Sequence, residues 1–108
     1  MLRVHQTALE LVGQVMPLLE RIARRDADLA RQGRRAVTSV PLNVAEGSDQ
    51  VGKRRVLHYR IALGSARETW SVVQCAMAAK YIDAPSNELT NAFNTVIGTL
   101  HHCVYGKR

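Results

Sequence analysis

Three groups of side chains in this 108-residue sequence could do chemistry. The first is His101-His102-Cys103, since imidazole and thiolate are ligands that zinc favours. Adjacent residues on a helix point about 100° apart, however, so three in a row cannot all face one ion. His5 and His58 have no partner at a ligand spacing either, and neither a metal nor another cofactor is expected. The second group is the carboxylate pair Glu46 and Glu68, which could act as general acid and base only if two different helices brought them together. No phosphate-binding glycine loop or nucleophile elbow accompanies them, so the expectation is a protein that is not an enzyme. The third group is cationic. Lys53, Arg60 and Arg67 recur at intervals of seven, with Gln74 continuing the row, and Arg31, Arg34 and Arg35 crowd the helix before. Cations on one helix face suit phosphate oxygens. With one Trp, one Phe and three Tyr in the chain, base stacking is not expected, and contact with the RNA or DNA backbone would dominate.

The charge balance points the same way. Fifteen Lys and Arg against nine acids give a net charge of +6 and a pI near 10.0, an excess that favours polyanions. Apolar residues make up 46% and charged residues 22% of the chain, the composition of a folded globular protein. The length suits one domain spanning residues 1–108. No run approaches the roughly 20 apolar residues that cross a bilayer. Glu10 and Gln14 interrupt any signal-peptide pattern, so a cytoplasmic location with no membrane partner is expected. Cys75 and Cys103 lack a Cys-x-x-Cys spacing and read as buried free thiols.

Four stretches with near-helical periodicity would position these residues. Val4, Ala8, Leu11, Val15, Leu18 and Ile22 predict helix one over residues 3–24, with Pro17 forcing a kink near Gly13 or a fresh start around Met16. Glu20 and Arg24 form an i,i+4 pair on it. Asp26 is the expected N-cap of helix two, which would run to about Glu46 with Leu29, Gly33, Val37, Val40 and Val44 inward. Gly33 predicts a close approach of another backbone. Helix three should run from Gly52 to Lys80 on the seam Val56, Tyr59, Leu63, Ala66, Trp70, Val73 and Met77. Ala62, Thr69, Val72, Ala76 and Ala79 widen that seam, which implies either a bundle centre or a subunit interface. Ile82 to Asn87 is a turn, with Asp83 or Ser86 capping helix four. That helix carries Leu89, Phe93, Val96, Leu100 and Val104, and Gly106 ends it before the basic Lys107-Arg108. Short polar connections between four amphipathic helices predict an all-α, up-down-up-down four-helix bundle.

The stretch around Pro41 organises the rest. A proline inside an unbroken apolar row leaves the carbonyl of Val37 unbonded, and Thr38 and Ser39 are the candidates to satisfy the freed groups. Gly47 reads as a stop signal, with Ser48 and Asp49 as caps for the following helix. Asn43 and Glu46 share a face beside the apolar row, and Asn43 and Glu68 are expected to hydrogen-bond near the proline. Val40-Pro-Leu-Asn-Val-Ala-Glu-Gly-Ser48, followed by Ala62-Leu-Gly-Ser-Ala-Arg-Glu68, is similar to the signature of a bacterial four-helix-bundle family. Pro41, Asn43, Glu46, Gly47, Gly64, Ser65 and Glu68 carry that resemblance. Ala62, Gly64, Ser65 and Ala66 would let a neighbouring backbone come close. The family includes proteins encoded by intervening sequences in large-subunit ribosomal RNA genes and the accessory variability proteins of diversity-generating retroelements. Where the family continues with Gly-Arg, this chain has Asp49-Gln50. The resemblance implies a ring-like homopentamer and a nucleic-acid or ribonucleoprotein role. The competing expectation is a scaffold for a protein partner, such as a reverse transcriptase.

Overall fold

The computed structural model describes residues 2–106, apart from the side chain of Leu2. Lys107 and Arg108, the expected basic tail, lie outside the described residues. Four helices follow one another: α1 (Leu2–Ala23), α2 (Ala27–Ser48), α3 (Gly52–Ala78) and α4 (Asn87–Tyr105). Neighbours pack in cyclic order, α1 on α2, α2 on α3, α3 on α4 and α4 back on α1, so α1 and α3 stand on a diagonal. This is the four-helix bundle that the four apolar stripes imply.

Each boundary has an identifiable cause. The Asp26 carboxylate accepts a hydrogen bond from the Leu29 amide at 2.9 Å, and Ser86 Oγ does the same for Leu89 at 3.1 Å. Both occupy the N-cap position and satisfy one of the four amides that every helix start leaves free. Gly106, at φ 76°, closes α4 through its amide to the His102 carbonyl at 2.7 Å. The end of α3 comes earlier than expected, at Ala78. Lys80 takes the left-handed conformation there, with φ 64°. Its amide bonds Met77 O at 3.0 Å while the Tyr81 amide bonds Ala76 O at 2.9 Å, the paired closure usually built on glycine.

Several expectations need correction. α1 runs unbroken through Pro17, with no fresh start at Met16. Pro17 and Gly13 are both exposed, so water can meet the carbonyl that the ring leaves free. Glu20 and Arg24 are exposed and do not pair. The one ion pair among the described residues is Asp28 with Arg31. Gly47 is not a stop signal, because α2 continues through it to Ser48. Asp49 caps the end of α2, and the N-cap of α3 is Val51, which offers no side-chain bond. Cys75 is exposed and Cys103 half-buried. Both are free, but neither is a buried thiol.

The core is continuous through all four helices, with Leu11, Val15, Leu19 and Ile22 of α1 meeting Val37, Val40 and Val44 of α2, and Phe93, Val96 and Leu100 of α4. Each such side chain, fully buried, is worth about 1.5–3 kcal/mol of transfer free energy. Trp70 stacks at a tilt on Phe93 with ring centroids 4.8 Å apart, joining α3 to α4. Ala62, Thr69, Val72 and Ala76 are all buried within the chain, which makes the wide band on α3 the bundle centre. Ala79 is exposed. Gly33 is the predicted close approach, but to a side chain. A Cβ there would lie 2.5 Å from Leu19 Cδ2 and 3.2 Å from Val72 Cγ1.

Candidate nucleic-acid interface

The cationic row depends on how α3 is anchored at its start. A Cβ on Gly47 would sit 2.7 Å from Tyr59 Cε1, so the absence of a side chain there makes room for the Tyr59 ring against α2. Tyr59 is buried, and its hydroxyl lies 3.4 Å from Ser48 Oγ. Arg55 reaches back with Nε to Gly47 O and Nη2 to Ser48 O, both at 3.3 Å. One of the first-turn cations of α3 therefore closes the preceding helix, whose last carbonyls carry partial negative charge.

With Tyr59 turned inward, Lys53, Arg60 and Arg67 emerge on the flank of α3 about 100° around the helix from it, all exposed. Arg60 and Arg67 each stand three residues before a core-facing side chain, Leu63 and Trp70. The Trp70 ring lies against α4, so the row borders the α4 side of α3. The second group is placed differently. Arg31 is paired with Asp28, and Arg34 is exposed on α2. Arg35 lines a groove of about 470 Å³ between α2 and α3 with Gln32, Ala36, Ser39, Ser65 and Glu68. The six cations named from the sequence are thus all accessible but form two separate groups, divided by the width of α3.

Between α2 and α3 runs a polar seam. Asn43 Nδ2 donates to Ser39 O and Ser39 Oγ, both at 3.0 Å, and Asn43 Oδ1 lies 3.2 Å from His58 Nδ1. Ser65 Oγ donates to Ser39 Oγ at 2.8 Å, and Thr69 Oγ1 donates to Ser65 O at 2.8 Å. Asn43 therefore does bond next to the proline, as expected, and His58 acquires a partner that its isolated position in the sequence did not suggest. Ser39 and Asn43, four apart, and Ser65 and Thr69, four apart, are the pattern that could have revealed the seam. Thr38 donates to Arg34 O and Arg35 O, a turn short of the carbonyl that Pro41 frees. Among the described residues Glu46 and Glu68 are exposed and make no side-chain hydrogen bond. Arg55 marks the level of Gly47 on α3, and the thirteen positions from there to Glu68 correspond to about 20 Å along the helix. The two carboxylates are therefore not brought together. Gly64 is exposed with nothing within 4 Å of a Cβ, so it makes no close approach, whereas Ala62 and Ala66 are buried.

Among the described residues no group of three or more His, Cys, Asp or Glu side chains is placed to hold a metal ion. Among the described residues no helix is long and apolar enough to cross a membrane.

The family model for 23S rRNA-intervening sequence proteins matches residues 1–102. No curated protein matches the chain. Among solved structures, a protein of unknown function from the S23 ribosomal protein family of Bacteroides thetaiotaomicron superposes with a TM-score of 0.81 at 19% identity. The match covers 94% of this chain and 98% of that one. At that identity the likeness concerns the fold.

Proposed function

The chain belongs to the 23S rRNA-intervening sequence protein family, and on that footing we propose that it is a small, non-catalytic, self-associating accessory protein that binds the backbone of RNA or DNA. The observation that carries the reading is electrostatic. From residue 50 to residue 67 the chain holds Lys53, Arg54, Arg55, Arg60 and Arg67 and not a single acid. Three of these, Lys53, Arg60 and Arg67, stand exposed along one side of a rigid helix. Such a row attracts phosphate without reading bases, because the ring next to it, Trp70, is half-buried and stacked on Phe93. Arg31, Arg34 and Arg35 add to the general positive field from α2. Repetition of the row in an assembly would add weak contacts through effective concentration.

Fluorescence anisotropy with mixed-sequence RNA and DNA at several salt concentrations tests this. Three phosphate contacts per subunit predict an affinity that falls about tenfold or more between 50 and 200 mM salt. Changing Arg60 and Arg67 together to Glu abolishes binding while circular dichroism stays helical. Equal binding by that variant, or a flat salt response, transfers the chain to the scaffold reading, in which a protein such as a reverse transcriptase is the partner.

A further inference from the structure

The groove between α2 and α3 carries one charge of each sign, and the two do not meet. The helices run antiparallel, with Gly47 beside Tyr59, Ser39 beside Ser65 and Gly33 beside Val72. Arg35 stands one turn before Ser39 and Glu68 one turn after Ser65, so they line the groove at the same level from opposite walls. Yet the one ion pair among the described residues is Asp28 with Arg31. The floor of the groove is unfinished in the same way. Ser39 Oγ accepts from Asn43 Nδ2 at 3.0 Å and from Ser65 Oγ at 2.8 Å. Two accepted bonds use both lone pairs of a hydroxyl, and the Ser39 proton is left without an acceptor among the described residues. Ser65 Oγ gives its own proton to Ser39 and keeps its lone pairs. Both hydroxyls are half-buried, and the seam holds them in place.

A ligand for this groove must suit both walls and the floor. A simple anion that reaches Arg35 also meets Glu68, and a simple cation meets the reverse. An apolar body finds only Ala36 among the lining side chains, and a nucleobase finds no ring to stack on. The space, about 470 Å³, lies in the range of small-molecule sites. A compact zwitterion answers every group. We propose that the groove binds a free amino acid. Its carboxylate lies against the Arg35 guanidinium, whose planar fork matches two carboxylate oxygens, and takes the Ser39 proton. Its ammonium donates to the Glu68 carboxylate and to Ser65 Oγ. Gln32, one turn beyond Arg35, offers its amide to the rest of the ligand. The nearest other charges do not upset this balance. Arg34 and Arg67 are each one position from a lining residue, about 100° around their helices, and line neither wall. Arg31 is held by Asp28. Arg35 and Glu68 are exposed to water, which screens them and sets the affinity in the millimolar range.

Amide NMR titration of the full chain with glycine, glutamine and γ-aminobutyrate, which differ in side chain and in the spacing of their charges, tests it. At least one of these shifts the Ser39, Ser65 and Glu68 amides saturably at millimolar concentration. Acetate and ethylammonium, which carry one charge each, give no saturable shift over the same range. Arg35→Gln and Glu68→Gln each weaken the binding about tenfold or more, the loss of one charge-assisted contact. Both side chains are exposed, so circular dichroism and the urea midpoint of the two variants stay those of the parent. Absence of a saturable shift with all three zwitterions overturns the proposal. So does binding that survives Glu68→Gln undiminished, or acetate binding as tightly as glycine, which would mark Arg35 as a plain anion contact. Glu68→Gln leaves the Lys53, Arg60 and Arg67 row intact, and nucleic-acid binding by that variant stays equal or grows stronger. The amino-acid site and the nucleic-acid reading therefore stand or fall on separate measurements.

Discussion

The hydroxyl of Ser65 donates to the hydroxyl of Ser39 at 2.8 Å across the α2–α3 interface, 26 positions apart in the chain. Asn43 donates to the same Ser39 oxygen at 3.0 Å, so one hydroxyl ties together both helices beside Pro41. Bonds that share an acceptor are not independent. Ser65→Ala and Asn43→Ala are each expected to cost about 1 kcal/mol, with the double variant costing measurably less or more than the sum. Urea unfolding of the four proteins in this cycle gives the coupling. Additivity within about 0.3 kcal/mol would show that the two bonds are separate and that the seam does not act as a unit.

Gly47 and Gly98 predict opposite outcomes for the same substitution. A Cβ at Gly47 would lie 2.7 and 2.9 Å from two atoms of the Tyr59 ring, which is buried and cannot retreat. Gly47→Ala should destabilise by about 1–3 kcal/mol and loosen the anchoring that aims Lys53 and Arg60 outward. Gly98 lies inside α4 with nothing within 4 Å of its Cβ direction. Gly98→Ala should stabilise by about 0.5–1 kcal/mol, since only the helix propensity changes. Thermal unfolding of both variants checks the contrast.

The element order, the N-caps Asp26 and Ser86 and the inward rows were legible because periodicity and capping are local properties of the chain. Whether Gly47 ended a helix or made room for a ring was not, since the deciding atom, Tyr59 Cε1, comes from twelve residues later. The same holds for His58, which looked isolated until α3 folded back onto Asn43. The cationic residues were identifiable one by one. That Arg35 turns into the α2–α3 groove while Arg60 borders α4 depends on helix phase across two elements, which spacing along one helix does not supply.

Lys80 offers a test of the α3 terminus. A non-glycine residue in the left-handed region costs roughly 1–2 kcal/mol, and Lys80 is the only non-glycine residue with positive φ among those described. Lys80→Gly should raise stability by about 1 kcal/mol, or about 4 °C in Tm for a chain of this size. Lys80→Ala should leave it nearly unchanged, because the strain lies in the backbone and not in the lysine head. A gain of equal size from both substitutions would point instead to relief of charge repulsion.

The two thiols should separate in their response to pH. Burial of Cys103 against the end of the core disfavours its thiolate and pushes its pKa above the ordinary thiol value, while Cys75 stands exposed on α3. At mildly alkaline pH a maleimide should therefore label Cys75 first, and labelling of folded Cys103 should keep rising at pH values where a free thiol has already levelled off. The same shift sets a direction for stability. The folded state holds the Cys103 proton more tightly than the unfolded chain does, so unfolding releases it more readily as the pH climbs. The contribution is complete below the ordinary thiol pKa and is lost as pH rises through the raised value in the folded protein. The free-energy difference between the parent and Cys103→Ala, measured by urea unfolding from about pH 7 to about pH 11, should shrink at the alkaline end. A difference that stays constant or grows over that range would mean that the side chain of Cys103 is not desolvated in the folded bundle.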